Sequence, residues 1–478
     1  MIISAFVQLV STGLDFIRRS ELKEIQTYYQ LIPEKVNALL WALEQLIDIQ
    51  GYDRDNLKEV ISLVALHVRK DGEATPLKMT YIKRLVPQGD KYLAALIDLG
   101  VIERSGYYVP GQSAYKYSFT PEYDSKYTTT VLNNARLTRR ISQAFEQFNR
   151  EAAKAVRGHS EQVRFLKQLT IDPGFMKFID ENYSTDTEAY NRVLASATRI
   201  MNGDIFYTID KTSGRFHSNV TNCPKGFRPH LLVKGEPLVN IDVKNCQPYL
   251  STIILTHPLK ASTFTENPAF AILLQSLKVS HKQDVKNYIS LVINGNFYEY
   301  LMTAFEAEGL LLDRSETKRQ VLRILFARNR SPKNESNRKA REVFKMRFPT
   351  VHRIFSKVRG SEKGDRFNSF KRFAILLQRM ESYLMLDVVM KRIHRELPNV
   401  VAITIHDSIM TGVLTNNVEA VKSILIEELT SFVGFRPRVD IEGLLEKGGE
   451  EGIKEERVET ESIVRKQYHA RALVNARI

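Results

Sequence analysis

Cysteine is nearly absent from the 478-residue chain: Cys223 and Cys246 are the only two. Two thiols cannot build a disulfide framework or a four-cysteine zinc site, so a reducing compartment is the default expectation. The ten histidines are scattered, with no ligand spacing to either cysteine, which disfavours zinc chemistry. No stretch of roughly eighteen or more uncharged apolar residues occurs, which removes a membrane-spanning helix. The apolar start, Met1-Ile-Ile-Ser-Ala-Phe-Val-Gln-Leu-Val, lacks a basic leader and breaks at Ser11, Thr12 and Gly13; it is a poor signal peptide, and a cytoplasmic protein is expected. A Walker-type phosphate loop is also missing, which speaks against an ATP-driven helicase.

Acidic residues are the minority charge. Lys and Arg number 69 against 55 Asp and Glu, a net charge of +14, and a polyanion is the first partner to consider. With 43% hydrophobic and 26% charged residues the composition is that of a globular protein, and the length suggests about three domains. Residues 1–75 read as a helical N-terminal region. Residues 76–125 read as two short helices followed by the strand-like runs Val101-Ile-Glu-Arg and Tyr115-Lys-Tyr-Ser-Phe-Thr, a winged-helix-like pattern that serves nucleic-acid binding and protein packing equally often. Residues 126–200 read as helical, with Arg136, Arg139, Arg140 and Arg150 on a polar helix. From Glu446 to Glu459 nine of fourteen residues are charged, and 446–478 is expected to be a flexible tail.

Two carboxylates each end a hydrophobic strand pattern. Asp242 follows Pro237-Leu-Val-Asn-Ile, and Asp407 follows Val400-Val-Ala-Ile-Thr-Ile-His. A strand-end aspartate is costly to desolvate unless a cation meets it. Two such strands lying side by side would aim both carboxylates at one site with the oxygen ligands that Mg²⁺ prefers. Between them lies a basic helix pattern in which Arg314, Lys318 and Phe326 recur at multiples of four and share one side. From Arg314 to Arg347 there are twelve basic and three acidic residues, and a nucleic-acid backbone or a triphosphate is the natural counter-charge.

These segments resemble the motifs of the family A (DNA polymerase I-like) DNA polymerases and the related phage-type single-subunit RNA polymerases. Leu238-Val-Asn-Ile-Asp242-Val-Lys-Asn-Cys-Gln247-Pro is similar to motif A, Arg314-x3-Lys318-x7-Phe326 to motif B, and Ile405-His406-Asp407-Ser408 to motif C. Thr212-Ser-Gly-Arg215 resembles the segment that precedes motif A in the DNA enzymes, and Leu377-Gln378-Arg-Met-Glu the helix whose Gln touches the primer-template minor groove. The resemblance spans residues 200 to 445. It implies an α+β right-hand polymerase, a palm with a small antiparallel sheet and helical fingers and thumb, preceded by the helical and winged-helix-like region. The implied domains are a thumb-like 126–200, palm 201–255, fingers 256–365 and palm 366–445.

By the same resemblance, Asp242 and Asp407, with the Val243 carbonyl, would hold two Mg²⁺ ions, or Mn²⁺, and template-directed nucleotidyl transfer would extend a primer on DNA from nucleoside triphosphates. Arg314 and Lys318 would hold the β- and γ-phosphates, with Lys318 as proton donor to pyrophosphate. Phe326 would stack near the nascent pair, His406 would sit near the primer terminus, and Arg215 and Gln378 would track the minor groove. Two departures leave sugar choice open. Gln247 stands where the DNA enzymes carry Glu, and Ser408 follows Asp407, as in the RNA enzymes. Against that, Arg215 lies 27 residues before Asp242, a DNA-enzyme spacing, while Phe326 stands in place of the RNA enzymes' Tyr and is followed by Ala327 in place of the usual Gly. DNA synthesis is the preferred expectation. A single-subunit RNA polymerase or primase is the alternative, and a non-catalytic regulator with a decayed core a further one. No proofreading exonuclease is expected. The 165 residues from Asp242 to Asp407 make short fingers, as for phage or mobile-element replication.

Overall fold

Short antiparallel strands set the backbone register in both halves of the chain, and helices supply most of the buried surface. The computed structural model describes residues 28–49, 53–66, 75–109, 114–329, 332–360, 371–413 and 417–442. The apolar N-terminal start and the charged segment 446–478 lie outside the described residues. The chain divides into two compact units, Met1–Pro237 and Leu238–Ile478. The result is a mixed helix and strand fold with small antiparallel sheets. No described helix is long and apolar enough to cross a membrane.

In the first unit the elements used below are β1 (Tyr28–Pro33), α1 (Glu34–Ile49), α2 (Arg54–Ala65), β2 (Thr75–Pro76), α3 (Met79–Leu85), α4 (Gly89–Asp98), β3 (Ile102–Ser105), β4 (Lys116–Phe119), β5 (Tyr127–Leu132), α5 (Ala135–Ala155), β6 (Leu169–Ile171), α6 (Thr187–Met201), β7 (Tyr207–Ile209), β8 (Phe216–Ser218) and β9 (Leu231–Val233). The region that reads as all helix contains a strand. Tyr28-Tyr-Gln-Leu-Ile-Pro pairs along its length with β5, Tyr28 opposite Leu132 and Pro33 opposite Tyr127. Aromatic and branched residues favour a pleated surface, and Pro33 could not continue a helix. The threonines at 128–130 are likewise extended, and α5 begins only after Asn134, whose side chain accepts from Arg136 N and Leu137 N. Helix α5 buries Leu137, Ile141 and Ala152 and leaves Arg136, Arg139, Arg140 and Arg150 exposed. Helices α3 and α4 accompany a sheet ordered β2-β4-β3, in which Arg104 lies 4.5 Å over the Tyr115 ring.

Beneath β1 lies a polar core. Tyr28 Oη donates to Asp204 Oδ2 at 2.5 Å, and Gln30 Nε2 donates to Glu59 Oε2 at 2.5 Å. Arg199 of α6 donates to the Leu66 carbonyl at 2.9 Å. Burial pushes the Glu59 carboxyl up to about 8, against the opposing hydrogen bond from Gln30 and with help from the Asp204 charge. A raised carboxyl favours the folded state while protonated, so this stability is full below about 4.5 and is lost as pH rises through 8. The substitution Glu59→Gln keeps the acceptor for Gln30 and removes the charge. It is expected to raise Tm by about 2–4 °C near pH 8 and by little near pH 5, measured by differential scanning calorimetry; a loss of Tm at both values would contradict a buried, protonation-dependent carboxyl.

The second unit comprises the end of β10 (Glu236–Val243), α7 (Cys246–Thr256), α8 (Gln283–Ile293), α9 (Phe297–Ala307), α10 (Arg314–Phe326), α11 (Glu335–Arg347), α12 (Pro349–Arg359), α13 (Lys371–Ser382), β11 (Ala402–Ile405), β12 (Ser408–Gly412), α14 (Val418–Val433) and β13 (Val439–Glu442), with a π-helical stretch Tyr383–Val389 after α13. Residues 238–243 of β10 lie between β12 and β13, and β11 flanks β12, all antiparallel. A single apolar core runs under this sheet and through the helices. Its centre is aromatic: the buried Tyr288 ring packs edge-on to Phe297, Phe348 and Phe355, and its hydroxyl pairs with Ser251 at 2.8 Å.

Candidate active site

The register of β10 with β12 brings the two strand-end carboxylates together. Asp242 pairs with Ser408, the residue after Asp407, and Val243 N donates to the Asp407 carbonyl at 3.3 Å. Asp407 sits in a two-residue hairpin between β11 and β12, preceded by His406 at φ +55°. A tight hairpin requires positive φ at its first central residue to match strand twist, so a non-glycine there is strained. The β11–β12 pairing, with Ile405 opposite Ser408, holds this turn and fixes Asp407 at the sheet's end. On the other side, Asn245 at φ +54° turns β10 directly into α7, so Asp242 also ends its strand at a sharp corner.

Burial raises Asp242 to about 6, with a further push from the Asp407 charge, opposed by Lys244. Lys244 reaches Asp242 Oδ2 at 3.3 Å, Glu442 Oε1 at 3.1 Å and Asp440 Oδ2 at 3.6 Å. Asp440 and Glu442 come from β13, opposite Asp242 and Asn240 respectively. Sequence reading misses this set, although Asn240, Asp242 and Lys244 alternate as residues of one strand face do. The strand β13 carries no signal of its own.

Helix α10 opens with a capping box between Asp313 and Glu316 and presents Arg314 and Lys318, both exposed, one turn apart. Arg314 Nε donates to Glu299 Oε1 at 2.7 Å, and its guanidinium lies 5.8 Å over the Tyr298 ring. Burial raises the Tyr298 hydroxyl, the Asp407 charge adds to this, and Arg314 opposes it. Tyr298 therefore stands in the fields of both the carboxylate hairpin and the basic helix. Nothing in the sequence marks Tyr298 or Glu299 beyond residue type. Phe326 is half-buried, and its ring packs edge-on against Phe373 of α13 at 5.9 Å, so it is part of the helix packing.

Helix α13 makes the other junction. Gln247 Nε2 donates to the buried Glu381 of α13, one turn after the half-buried Gln378. Arg215 belongs to the first unit. It starts the return arm of the β7–β8 hairpin, whose turn is organised by Asp210, which accepts from Thr212 N at 2.9 Å and from Ser213 N at 2.7 Å. Partial burial raises Asp210, but the bonds from Ser213, His217 and Thr212 outweigh it and hold the carboxyl at about 2.

No protein-family model matches the chain, and no curated protein matches it. Among solved structures it is similar to the POL domain of Pol1 from M. smegmatis in complex with DNA primer-template and dNTP, at 13% identity and a TM-score of 0.28. The match covers 64% of this chain and 65% of that one, so the chain spans less than two thirds of that domain. So slight a likeness decides nothing about the fold or the site.

Chemically, the hairpin corner is a pair of carboxylates at the strand ends of a sheet. Among the described residues no three His, Cys, Asp or Glu side chains converge as a metal cage. Two carboxylates suit a hard divalent ion that keeps water and substrate oxygens as its other ligands. Without a cation, the raised Asp242 stabilises the fold fully below its ordinary value of 3.8 and loses that contribution as pH rises through about 6. In metal-free buffer Asp242→Asn is therefore expected to raise Tm near pH 7.5 and to leave it almost unchanged near pH 4. Added MgCl₂ is expected to stabilise the unsubstituted protein near pH 7.5 and not the variant, by thermal shift; equal MgCl₂ effects on both would place cation binding elsewhere.

Proposed function

We propose that the protein is a nucleotidyltransferase that extends a nucleic-acid primer on a DNA template with deoxynucleoside triphosphates. The observation that carries this reading is the β10–β12 register, which makes neighbours of two aspartates 165 residues apart in sequence. A basic helix whose Arg314 lies over the ring of Tyr298, a residue that also feels the Asp407 charge, supports it. On this reading the second unit holds a palm at 238–255 and 366–445 and fingers at 256–365, with the rest of the palm, 201–237, and a thumb-like 126–200 in the first unit. The module at 76–125 is an accessory nucleic-acid contact.

The donor set fits Mg²⁺, or Mn²⁺ in its place. Asp242 and Asp407, with the Val243 carbonyl, would hold two such ions, which when bound would activate the primer hydroxyl and neutralise charge at the reacting phosphate. The chain's own residues do the rest by positioning and charge. Arg314 and Lys318 bind the β- and γ-phosphates, and Lys318 Nζ delivers a proton to departing pyrophosphate. Arg314 leaves its bond to Glu299 to do so. His406, Gln378 and Arg215 contact primer-template, and Phe326 backs the nascent pair from its seat on Phe373.

Asp407→Asn is expected to lower Mg²⁺-dependent extension of a labelled primer by at least about 10³-fold, and Lys318→Ala by about 10²–10³-fold, with oligonucleotide affinity nearly unchanged. Full activity in Asp407→Asn would end the assignment.

The amide at 247 favours keeping a second reading, a single-subunit RNA polymerase or primase on the same site. Gln247 is anchored by Glu381, which brings a carboxylate next to the position where the DNA enzymes carry their own. Gln247→Ala, which takes away that anchor, is expected to raise ribonucleotide use relative to deoxynucleotide use by about tenfold in the same assay. An unchanged ratio would remove the pair from sugar selection.

A further inference from the structure

Ten of the twelve basic residues between Arg314 and Arg347 have no part in the triphosphate site proposed above. Several line two cavities that follow one another along α11. One, of about 260 Å³, is bounded by Arg323, Arg328, Lys333 and Arg341, with Asn337 at its side. The other, of about 680 Å³, is bounded by Lys345, Arg353, Lys357 and His352. Among the described residues neither lining contains a carboxylate. Asn337, Arg341 and Lys345 are spaced four apart on α11, so one stripe about 12 Å long passes from the first cavity to the second.

The wall between the cavities is rigid. Arg359 is buried and donates to the carbonyls of Ile324 and Leu325, to Asn329 Oδ1 at 3.0 Å and to Ser356 Oγ at 2.9 Å, closing the last turn of α10. Asn329 Nδ2 in turn donates to the carbonyls of Ser356 and Gly360 at 2.8 and 2.7 Å. Arg341 is fixed by the Arg328 carbonyl at 2.9 Å and Arg323 by Asn337 Oδ1 at 3.2 Å. Holding a row of cations close together is costly, and an anion laid along the row offsets the cost.

We propose that this seam binds the phosphodiester backbone of a single nucleic-acid strand, with successive phosphates in the two cavities. Cavities of about 260 and 680 Å³ can take the backbone of a flexible single strand, whereas a stiff duplex would meet only their rims. The length of the stripe fits a chain of phosphates and exceeds what one small anion fills. Its electropositive field registers on a neighbour: burial, then Arg359, Arg341 and Lys345, lower His352 to about 4. Backbone phosphates in the seam would reverse that field and raise His352.

The test uses the full chain carrying Asp407→Asn, so that binding is read apart from turnover. Anisotropy of a labelled oligothymidylate is titrated across NaCl with and without Lys333→Gln, Lys345→Gln, Arg353→Gln and Lys357→Gln combined. The combined variant is expected to bind about tenfold or more weakly at low salt, and its salt slope to fall by about 0.7 for each phosphate no longer neutralised. The His352 imidazole, followed by NMR, is expected to titrate at higher pH with the oligonucleotide bound. Unchanged affinity and slope with a far-UV spectrum intact would overturn the proposal, as would inorganic phosphate saturating the cavities without competing with the oligonucleotide. A larger affinity loss for duplex than for single strand would also overturn it. Primer extension decides the nucleotidyltransferase reading separately, since that reading can fail while the seam still binds.

Discussion

The partial burial of Asp242 beside the Asp407 charge is the constraint on which the site in the second unit depends. Two carboxylates taken partly out of water at the end of a sheet are unfavourable neighbours, and Asp242 registers this as a carboxyl raised to about 6. They are held there by the backbone. Five consecutive residue pairs join β10 to β12, and a one-residue slip would turn Ile241 and Val243 away from the core. The hairpin at His406 and the corner at Asn245 both require left-handed backbone, a local cost met by the pairing on either side. Lys244 relieves part of the charge from the β13 side, where it also meets Asp440.

Strand-end position makes the two aspartates legible in the sequence, because a hydrophobic run ending in a carboxylate reads the same way wherever it occurs. The helix carrying Arg314 and Lys318 is legible from its period and its basic residues. Long-range pairing is what the sequence does not disclose. The strand β13 is four residues long and acquires meaning only by lying against β10, which is what brings Asp440 and Glu442 to Lys244. The Gln247–Glu381 bond spans 134 residues and the Tyr298 link joins two elements with no shared pattern. Strand β1 reads as helix because its apolar content fits either period, and only its partner β5 decides between them.

The basic helices of the second unit are organised on a different principle from the carboxylate corner. There, like charges are kept apart by a framework of carbonyl and amide acceptors centred on Arg359 and Asn329, and the cationic row is left facing two cavities. One unit thus carries a carboxylate corner suited to a divalent cation and, apart from it, a row of cations suited to phosphates.

If Asp242 and Asp407 share one divalent cation, the anomalous difference map of a crystal soaked in MnCl₂ reads it out directly. A shared site requires a peak within bonding distance of oxygens from both aspartates, and its loss in Asp407→Asn. A peak at Asp440 and Glu442 alone, or none at the hairpin at full occupancy elsewhere, would contradict it.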